Sequence, residues 1–336
     1  MSEPVVLGIE STCDETAAAV VRGRRLLSNV VASSMDEHAR YGGVIPEIAS
    51  RAHAEAFVPV VSKALADADM TIGDVDAIAV SAGPGLAGCL AVGVSGAKAL
   101  AWAANKPIYG INHVIGHIAV TQLQFGPFPP DTLALIVSGG HTSLLHVEDV
   151  ARHIDVVGTT LDDAAGECFD KIARVLGLPY PGGKPMELLA EGGDDHRYPL
   201  PRAKVAGNDL DMSFSGLKTA AVNLVHNAQQ KGEALDRPGL AASVAAAISE
   251  ELVPRAMEAA RRRRHHTLVA AGGVAANKRI RADLEAACRE NGLKLYLPPL
   301  RLCGDNGAMI GSQAYYEYLA GNVADLSLNA YANLEI

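Results

Sequence analysis

Aromatic side chains are scarce in this sequence: Phe, Tyr and Trp together make up 4% of 336 residues, with a single Trp. That poverty argues against an aromatic-rich binding surface. Abundant Ala, Gly and Val instead suit closely packed helix-on-sheet layers. Positive charge is also lacking, since the formal net charge is -9. A generally basic nucleic-acid binder, whose affinity comes from neutralising phosphates, is thereby excluded. A local basic patch, or a partner that supplies one, is not. The five cysteines, Cys13, Cys89, Cys168, Cys288 and Cys303, show no Cys-x-x-Cys spacing. An odd, dispersed set reads as reduced thiols rather than a disulfide framework. No charged-then-apolar leader opens the chain. The uncharged stretch from Ala77 to Ala97 is interrupted by Gly83-Pro84-Gly85, which splits it into a strand and a helix rather than a membrane span. A cytoplasmic protein is expected.

What is present is order. The length favours two domains, and nearly half the residues are apolar, ample for a core. Short β-type runs at Val5 to Glu10, Ala17 to Val21 and Leu26 to Ala32 predict an antiparallel meander. A helical pattern from about Ser50 to Asp67 follows, then a strand at Ala77 to Ser81, a glycine turn, a helix to about Asn105 and a strand Pro107 to Ile111. The second half repeats this order. Its strands are predicted at Leu133 to Ser138, Ser143 to Val147, Ile154 to Thr159, Thr267 to Ala271 and Lys294 to Leu297. Its helices are predicted at Glu167 to Val175, Gly216 to Gln229, Leu240 to Arg262 and Asn277 to Glu290, an insertion among them. The period is that of a duplicated domain, not of a solenoid. Two such lobes place their strand-end turns at a shared cleft, where ligands of open α/β sheets gather.

Into that cleft the reading puts a metal site. His113 and His117 stand at i and i+4 after a strand, behind Asn112 as a helix cap, so both imidazoles share one face. With 11 histidines in the chain the spacing alone is weak, and two unliganded helix histidines are the plain alternative. The duplication adds Asp305, which follows the last strand of the second half as the histidines follow that of the first. Two His and one carboxylate leave coordination positions open to substrate. Asp305 reads equally as an N-cap of the next helix. A zinc peptidase needs His-Glu-x-x-His, and Val114 occupies the position of its general base.

Other turns carry anion and nucleoside chemistry. Val137-Ser138-Gly139-Gly140-His141-Thr142 offers backbone N–H groups and hydroxyls to an anion, or is an ordinary Gly-rich hairpin. Its companion in the first half is Glu10-Ser11-Thr12-Cys13-Asp14. Gly272-Gly273-Val274-Ala275-Ala276-Asn277 permits close approach of a flat ring or ribose, with Asn277 either bonding an edge or capping a helix. Tyr180-Pro181-Gly182-Gly183 is a further turn, with Glu187 just beyond. Asp162, Asp163, Glu167 and Asp170 form either a solvated helix start or a ribose contact. Arg261 to Arg264 with His265 and His266 close a helix, where cations are favoured, or face tRNA.

These segments, together with Tyr41 to Glu47, Ala82 to Leu86, Ser213 to Thr219 and Asp305 to Met309, occur in the order of a known family. The chain resembles the bacterial tRNA N6-adenosine threonylcarbamoyltransferase catalytic subunits, the O-sialoglycoprotein endopeptidase-like family of the actin-like ATPase superfamily. The resemblance runs over nearly the whole length. It implies a duplicated actin-like ATPase (ribonuclease H-like) fold with two lobes around a central cleft. The lobes are expected at 1–118 and at 119–336, the second with the helical insertion and a last helix able to pack back on the first. It implies transfer of a threonylcarbamoyl group from threonylcarbamoyl-adenylate to N6 of the adenosine beside the anticodon, position 37, in tRNAs reading ANN codons.

It further implies iron or zinc on His113, His117 and Asp305. The adenylate is expected on Ile136, Val137, Ser138, Gly139, Gly140, Asp170, Gly183, Glu187 and Asn277. An inactive paralogue in a heterodimer and a small P-loop ATPase are the implied partners. Two residues depart from the family pattern: Lys184 where Pro is common, and Glu187 where Asp is frequent. For the base that takes the amine proton, His141, Asp14 and Glu15 are the candidates. A small-molecule kinase of the same superfold and a non-catalytic nucleotide-binding subunit are the rivals. Kinases of that fold hold Mg²⁺ through carboxylates and phosphates, so the histidine pair counts against the first. A non-catalytic subunit is expected to have lost that pair.

Overall fold

The computed structural model describes residues 3–127 and 129–336. Close contacts divide the chain into two compact units. One comprises Met1–Phe128, Glu148–Ile154 and Pro298–Ile336; the other comprises Pro129–Val147 and Asp155–Leu297. The expected division after residue 118 falls within the helix that carries the histidine pair.

In the first unit, β1 (Val5–Glu10), β2 (Glu15–Arg22), β3 (Arg25–Ser33), β4 (Ala77–Gly83) and β5 (Ile108–Asn112) form one sheet in the order β3-β2-β1-β4-β5. β1 pairs antiparallel with β2 and parallel with β4. Every residue of β1 and β4 is buried, the pattern of strands covered on both faces. A short helix α1 (Met35–Ala39) precedes α2 (Pro46–Asp67). That helix and α3 (Ala87–Ala104) cover one face, around Leu7, Ile9, Val61, Ile78 and Val94. By length and composition α3 is apolar enough to cross a membrane; here one of its sides packs on β4 and α2. The opposite face carries α4 (His113–Ala119), α5 (Gln122–Phe125) and the last helix α11 (Gly307–Ala320). A Cβ on Gly8 would collide with the backbone of Gly311, so α11 lies directly on β1. The segment beyond it runs back along β4 and β5, with Tyr331 N–H donating to the Ala82 carbonyl (2.8 Å).

The second unit repeats the plan. β6 (Thr132–Val137), β7 (Thr142–Asp149), β8 (His153–Thr159), β9 (Thr267–Ala271) and β10 (Lys294–Tyr296) stand in the order β10-β9-β6-β7-β8. Matched strand for strand, this is the order of the first sheet, so the duplication read from the sequence is a duplication of topology. α6 (Ala165–Val175), α7 (Gly183–Leu189), α8 (Ser215–Lys231), α9 (Arg237–Arg263) and α10 (Lys278–Glu290) pack around it. Their core is built on Leu133, Leu135, Phe169, Phe214, Ile248 and Leu284.

Candidate metal centre and adenylate cradle

Helix α4 starts where β5 ends because Asn112 caps it, its Oδ1 accepting from Val114 N (3.0 Å) and Ile115 N (3.4 Å). That start puts His113 and His117 on one face, with ring centres 4.8 Å apart and planes at 79°. Asp305 reaches them from the loop ahead of α11, its Oδ1 lying 3.3 Å from His117 Nε2 and 3.7 Å from His113 Nε2. One ligand atom from each residue falls within 4.8 Å of the others. All three belong to the first unit, because Pro298–Ile336 returns to it. The capping role open to Asp305 falls instead to Asn306, whose Oδ1 accepts from Met309 N (3.0 Å).

Behind the trio stands a residue that its sequence context does not single out. Glu10, fully buried at the end of β1, accepts from His113 Nδ1 through Oε2 (3.0 Å) and from Thr12 N through Oε1 (2.5 Å). A carboxylate on Nδ1 fixes the tautomer that turns the Nε2 lone pair toward Asp305, the usual outer support of a metal-bound histidine. Burial opposes a charge on His113, yet Glu10 and Asp305 outweigh it and hold the imidazole up at about 9. His117 is buried with neither ring nitrogen hydrogen-bonded. A buried imidazole left that way is costly unless a ligand meets it, and the donor set fits a borderline divalent ion.

Two further histidines escaped sequence reading because nothing in their spacing marks them. His53 bridges Thr16 Oγ1 (2.7 Å) and the Cys13 carbonyl (3.0 Å), and burial lowers its pKa. His38 Nδ1 accepts from Ile45 N (3.2 Å), while its Nε2 meets Ser34 Oγ (3.0 Å), which donates to the Asp14 carbonyl (2.9 Å). Together they clamp the Cys13-Asp14-Glu15 turn. Burial, then the Asp305 and Asp14 carboxylates, push the Glu15 carboxyl up to about 10.

The residues expected at the adenylate gather in the second unit. The β6–β7 turn closes through Ser138 N donating to the His141 carbonyl (2.8 Å) and His141 N to Ser138 Oγ (3.0 Å). Gly166, at the start of α6, packs against it so closely that a Cβ would lie 2.5 Å from the Ser138 carbonyl oxygen. Gly272, at a φ of 99°, abuts Val137. Asp170 Oδ1 accepts from Gly182 N (2.6 Å) and so fixes the Tyr180–Gly183 turn. Glu187 Oε2 accepts from Lys278 N (2.8 Å), beside Asn277, whose Oδ1 caps α10 at Arg279 N (3.0 Å). Gly139, Gly140, Gly183 and Gly273 face open space, where a Cβ would meet nothing within 4 Å. Of the three base candidates, Asp14 and Glu15 lie in the first unit and His141 in the second.

The other acids of the Asp162 run are structural. Asp162 receives Phe214 N (2.8 Å), and Asp163 pairs with Lys171 (2.9 Å) and Lys218 (2.6 Å). In the arginine cluster, Arg261 pairs with Glu258, Arg262 with Glu258 and Asp209, and Arg263 with Asp155. Arg261, Arg262 and Arg263 thus each have an acidic partner within the protein.

Two matched five-stranded sheets wrapped in helices, one carrying a His–His–Asp group that could hold a metal ion and the other a glycine-lined turn cluster, define an actin-like ATPase fold. Solved structures agree on the fold. Thermococcus kodakarensis HypF superposes with a TM-score of 0.64 at 15% identity, over 98% of this chain and 49% of its own. A ROK hexokinase from Thermus thermophilus gives 0.52 at 17% identity, over 95% and 99%. A profile of the tRNA N6-adenosine threonylcarbamoyltransferase family matches residues 25–312. An enzyme of that name from Bifidobacterium adolescentis is 66% identical over 315 residues, covering 92% of this chain and 91% of the relative. One from Moorella thermoacetica is 51% identical over 336 residues, covering 100% and 98%. The chain belongs to the tRNA N6-adenosine threonylcarbamoyltransferase family.

Proposed function

We propose that this chain transfers the threonylcarbamoyl group of threonylcarbamoyl-adenylate to N6 of adenosine 37 in tRNAs reading ANN codons. The observation that carries the reading is His117, buried beside His113 with no hydrogen bond to either ring nitrogen and its Nε2 3.3 Å from Asp305 Oδ1. A kinase of this fold has no use for such a group. His113, His117 and Asp305 hold the metal, Fe²⁺ in preference to Zn²⁺, and Glu10 orients His113. A divalent ion bound there supplies Lewis acidity and a template for the carbamoyl group.

In the second unit, Ser138, Gly139 and Gly140 present N–H groups to the adenylate phosphate, and Ile136 and Val137 carry that turn. Asp170, Gly183, Glu187 and Asn277 border the nucleoside. N6 attacks the carbamoyl carbon, the C–O bond to phosphate breaks, and the bonding pair leaves with AMP. The amine proton passes to a base, which we assign to His141 ahead of Asp14 and Glu15. An inactive paralogue and a small P-loop ATPase join it on tRNA in the cytoplasm.

Nucleoside mass spectrometry of tRNA incubated with the protein, its partners, ATP, threonine and bicarbonate tests this. Threonylcarbamoyladenosine is expected with the wild type and only background with His113→Ala. No product from the former, or undiminished product from the latter, overturns the reading.

A further inference from the structure

A second pair of histidines lies in the second unit, at the opposite end of its sheet from the glycine turns. His146 sits on β7 opposite Leu133, and His265 immediately precedes β9. Both flank the start of β6, which separates them from the Val137 turn by ~13 Å at His146 and ~20 Å at Asp131, the partner of His265. Their ring centres are 5.0 Å apart, with planes at 38°. Two imidazoles sharing a tetrahedral ion at ~2.0–2.1 Å, with ring centres ~1.2 Å beyond each nitrogen, stand ~5.2 Å apart. The His113–His117 pair, at 4.8 Å, meets the same criterion.

The nitrogens are set up for a ligand. His265 is 95% buried, its relative exposure being 5%. Its Nδ1–H donates to the Asp131 carbonyl (2.6 Å), which leaves a bare lone pair on Nε2. Such an outer hydrogen bond is what orients metal-bound histidines. That Nε2 has no hydrogen-bond partner, and neither has the buried Nδ1 of His146. Each buried nitrogen lacks the partner that its burial demands, and one ion shared between the adjacent rings would meet both. The charged neighbours of His265 are Asp131, which favours a cation, and Arg263, which opposes one but is engaged with Asp155 (3.4 Å).

We infer that His146 and His265 form a second metal site, specific for an imidazole-seeking divalent ion of the Zn²⁺ or Cu²⁺ class. Two protein ligands leave the remaining positions to solvent or to a small anion.

The test is a Zn²⁺ titration of the metal-stripped full-length chain, read as stoichiometry by calorimetry. Wild type is expected to take up two equivalents. Asp305→Ala should abolish or weaken only the first, while His146→Phe and His265→Asn should each remove only the second. Asn keeps a donor for the Asp131 carbonyl, and His146 is half-exposed, so His146→Phe decides the matter if His265→Asn fails to fold. A single equivalent that Asp305→Ala removes, or a second that persists in His146→Phe, overturns the proposal, whereas a single equivalent lost only in His146→Phe overturns the His113–His117–Asp305 site instead.

Discussion

The two hairpins at equivalent places in the two sheets are built from different materials. Between β1 and β2 the turn carries side chains: Glu10 behind His113, Thr12 beside it, Asp14 and Glu15 near Asp305. Between β6 and β7 only Ser138 and His141 carry side chains, and between them Gly139 and Gly140 leave the main chain bare to open space. One topology thus serves two kinds of ligand. A metal ion needs a few lone pairs held in a dry, fixed array, which only buried side chains supply. A phosphate needs several N–H groups converging at close range, which the main chain supplies best where no Cβ intervenes. The first unit should accordingly fail atom by atom, and the second by steric filling.

The sharpest test of the first half of that contrast is Glu10→Gln. The shape is kept, but the amide can present N–H₂ to His113 and no longer enforces the tautomer with Nε2 free. Metal affinity is expected to drop 10–100-fold, about 1.4–2.7 kcal/mol, with activity falling in step. Measured metal content and single-turnover transfer check it. Unchanged affinity would mean that Glu10 merely fills the end of β1.

Gly139→Val examines the second half. A Cβ there meets nothing within 4 Å and opens onto free space, so thermal stability should hold within a degree or two. Nucleotide affinity should fall about tenfold or more, roughly 1.4 kcal/mol, as the side chain fills the space a phosphate requires. Gly182→Ala should behave oppositely, since its Cβ would collide with Ala173. Loss of stability there, and loss of nucleotide binding alone at Gly139, is the pattern that separates a cradle from a packing contact. Calorimetric binding and melting curves on both variants read it out.

Much of this was legible in the sequence, for reasons that differ by region. Strands β1, β4, β6 and β9 announce themselves as apolar runs ended by glycine or polar turns, and their order exposes the duplication. His113 and His117 are visible because a helix makes i and i+4 neighbours. Asp305 was reached by symmetry, although the chain delivers it by a different route: α11 packs on β1, so the acid arrives within the first unit. Glu10 was hidden because a single acid at a strand end looks like the beginning of a turn. His38, His53 and His146 are silent in the sequence, and His265 is visible there only as part of the basic cluster after Arg264, since strand pairing and loop packing, not sequence spacing, bring them to their partners. The Asp162 run misled in a milder way, because its local acid pattern says nothing of Phe214 and Ser215 more than fifty residues away.

Asp162 gives the pH test of the second unit. Burial opposes its charge, but hydrogen bonds from Ser213, Ser215 and Phe214 outweigh it and lower the pKa. A carboxyl whose pKa falls on folding contributes fully above its ordinary value of about 3.9, and the contribution disappears as pH drops through the folded value. Solvent screens this partly exposed group, so Asp162→Asn should cost about 1 kcal/mol at pH 7. The wild type should lose that advantage on acidification, and the two melting curves should converge as pH falls below the ordinary carboxylate range. Parallel curves from pH 7 to 3 would remove Asp162 as the latch of α8.

The smallest effect belongs to Lys184, the position at which the family resemblance leads one to expect proline. Its ammonium pairs with Glu187 across one helical turn and is largely exposed, so the pair itself contributes about 0–1 kcal/mol. Glu187 is anchored independently, because its Oε2 holds Lys278 N at the start of α10. Proline is tolerated in the first turn of a helix, and Lys184 is the second residue of α7. Lys184→Pro should therefore shift the melting temperature by no more than a degree or two and nucleotide affinity by less than about threefold. Glu187→Gln should shift affinity more, since it weakens the charge-assisted bond that ties α7 to the turn at Asn277. If Lys184→Pro proves the more damaging of the two, the ion pair rather than the Glu187–Lys278 bond sets the nucleoside edge of the cradle.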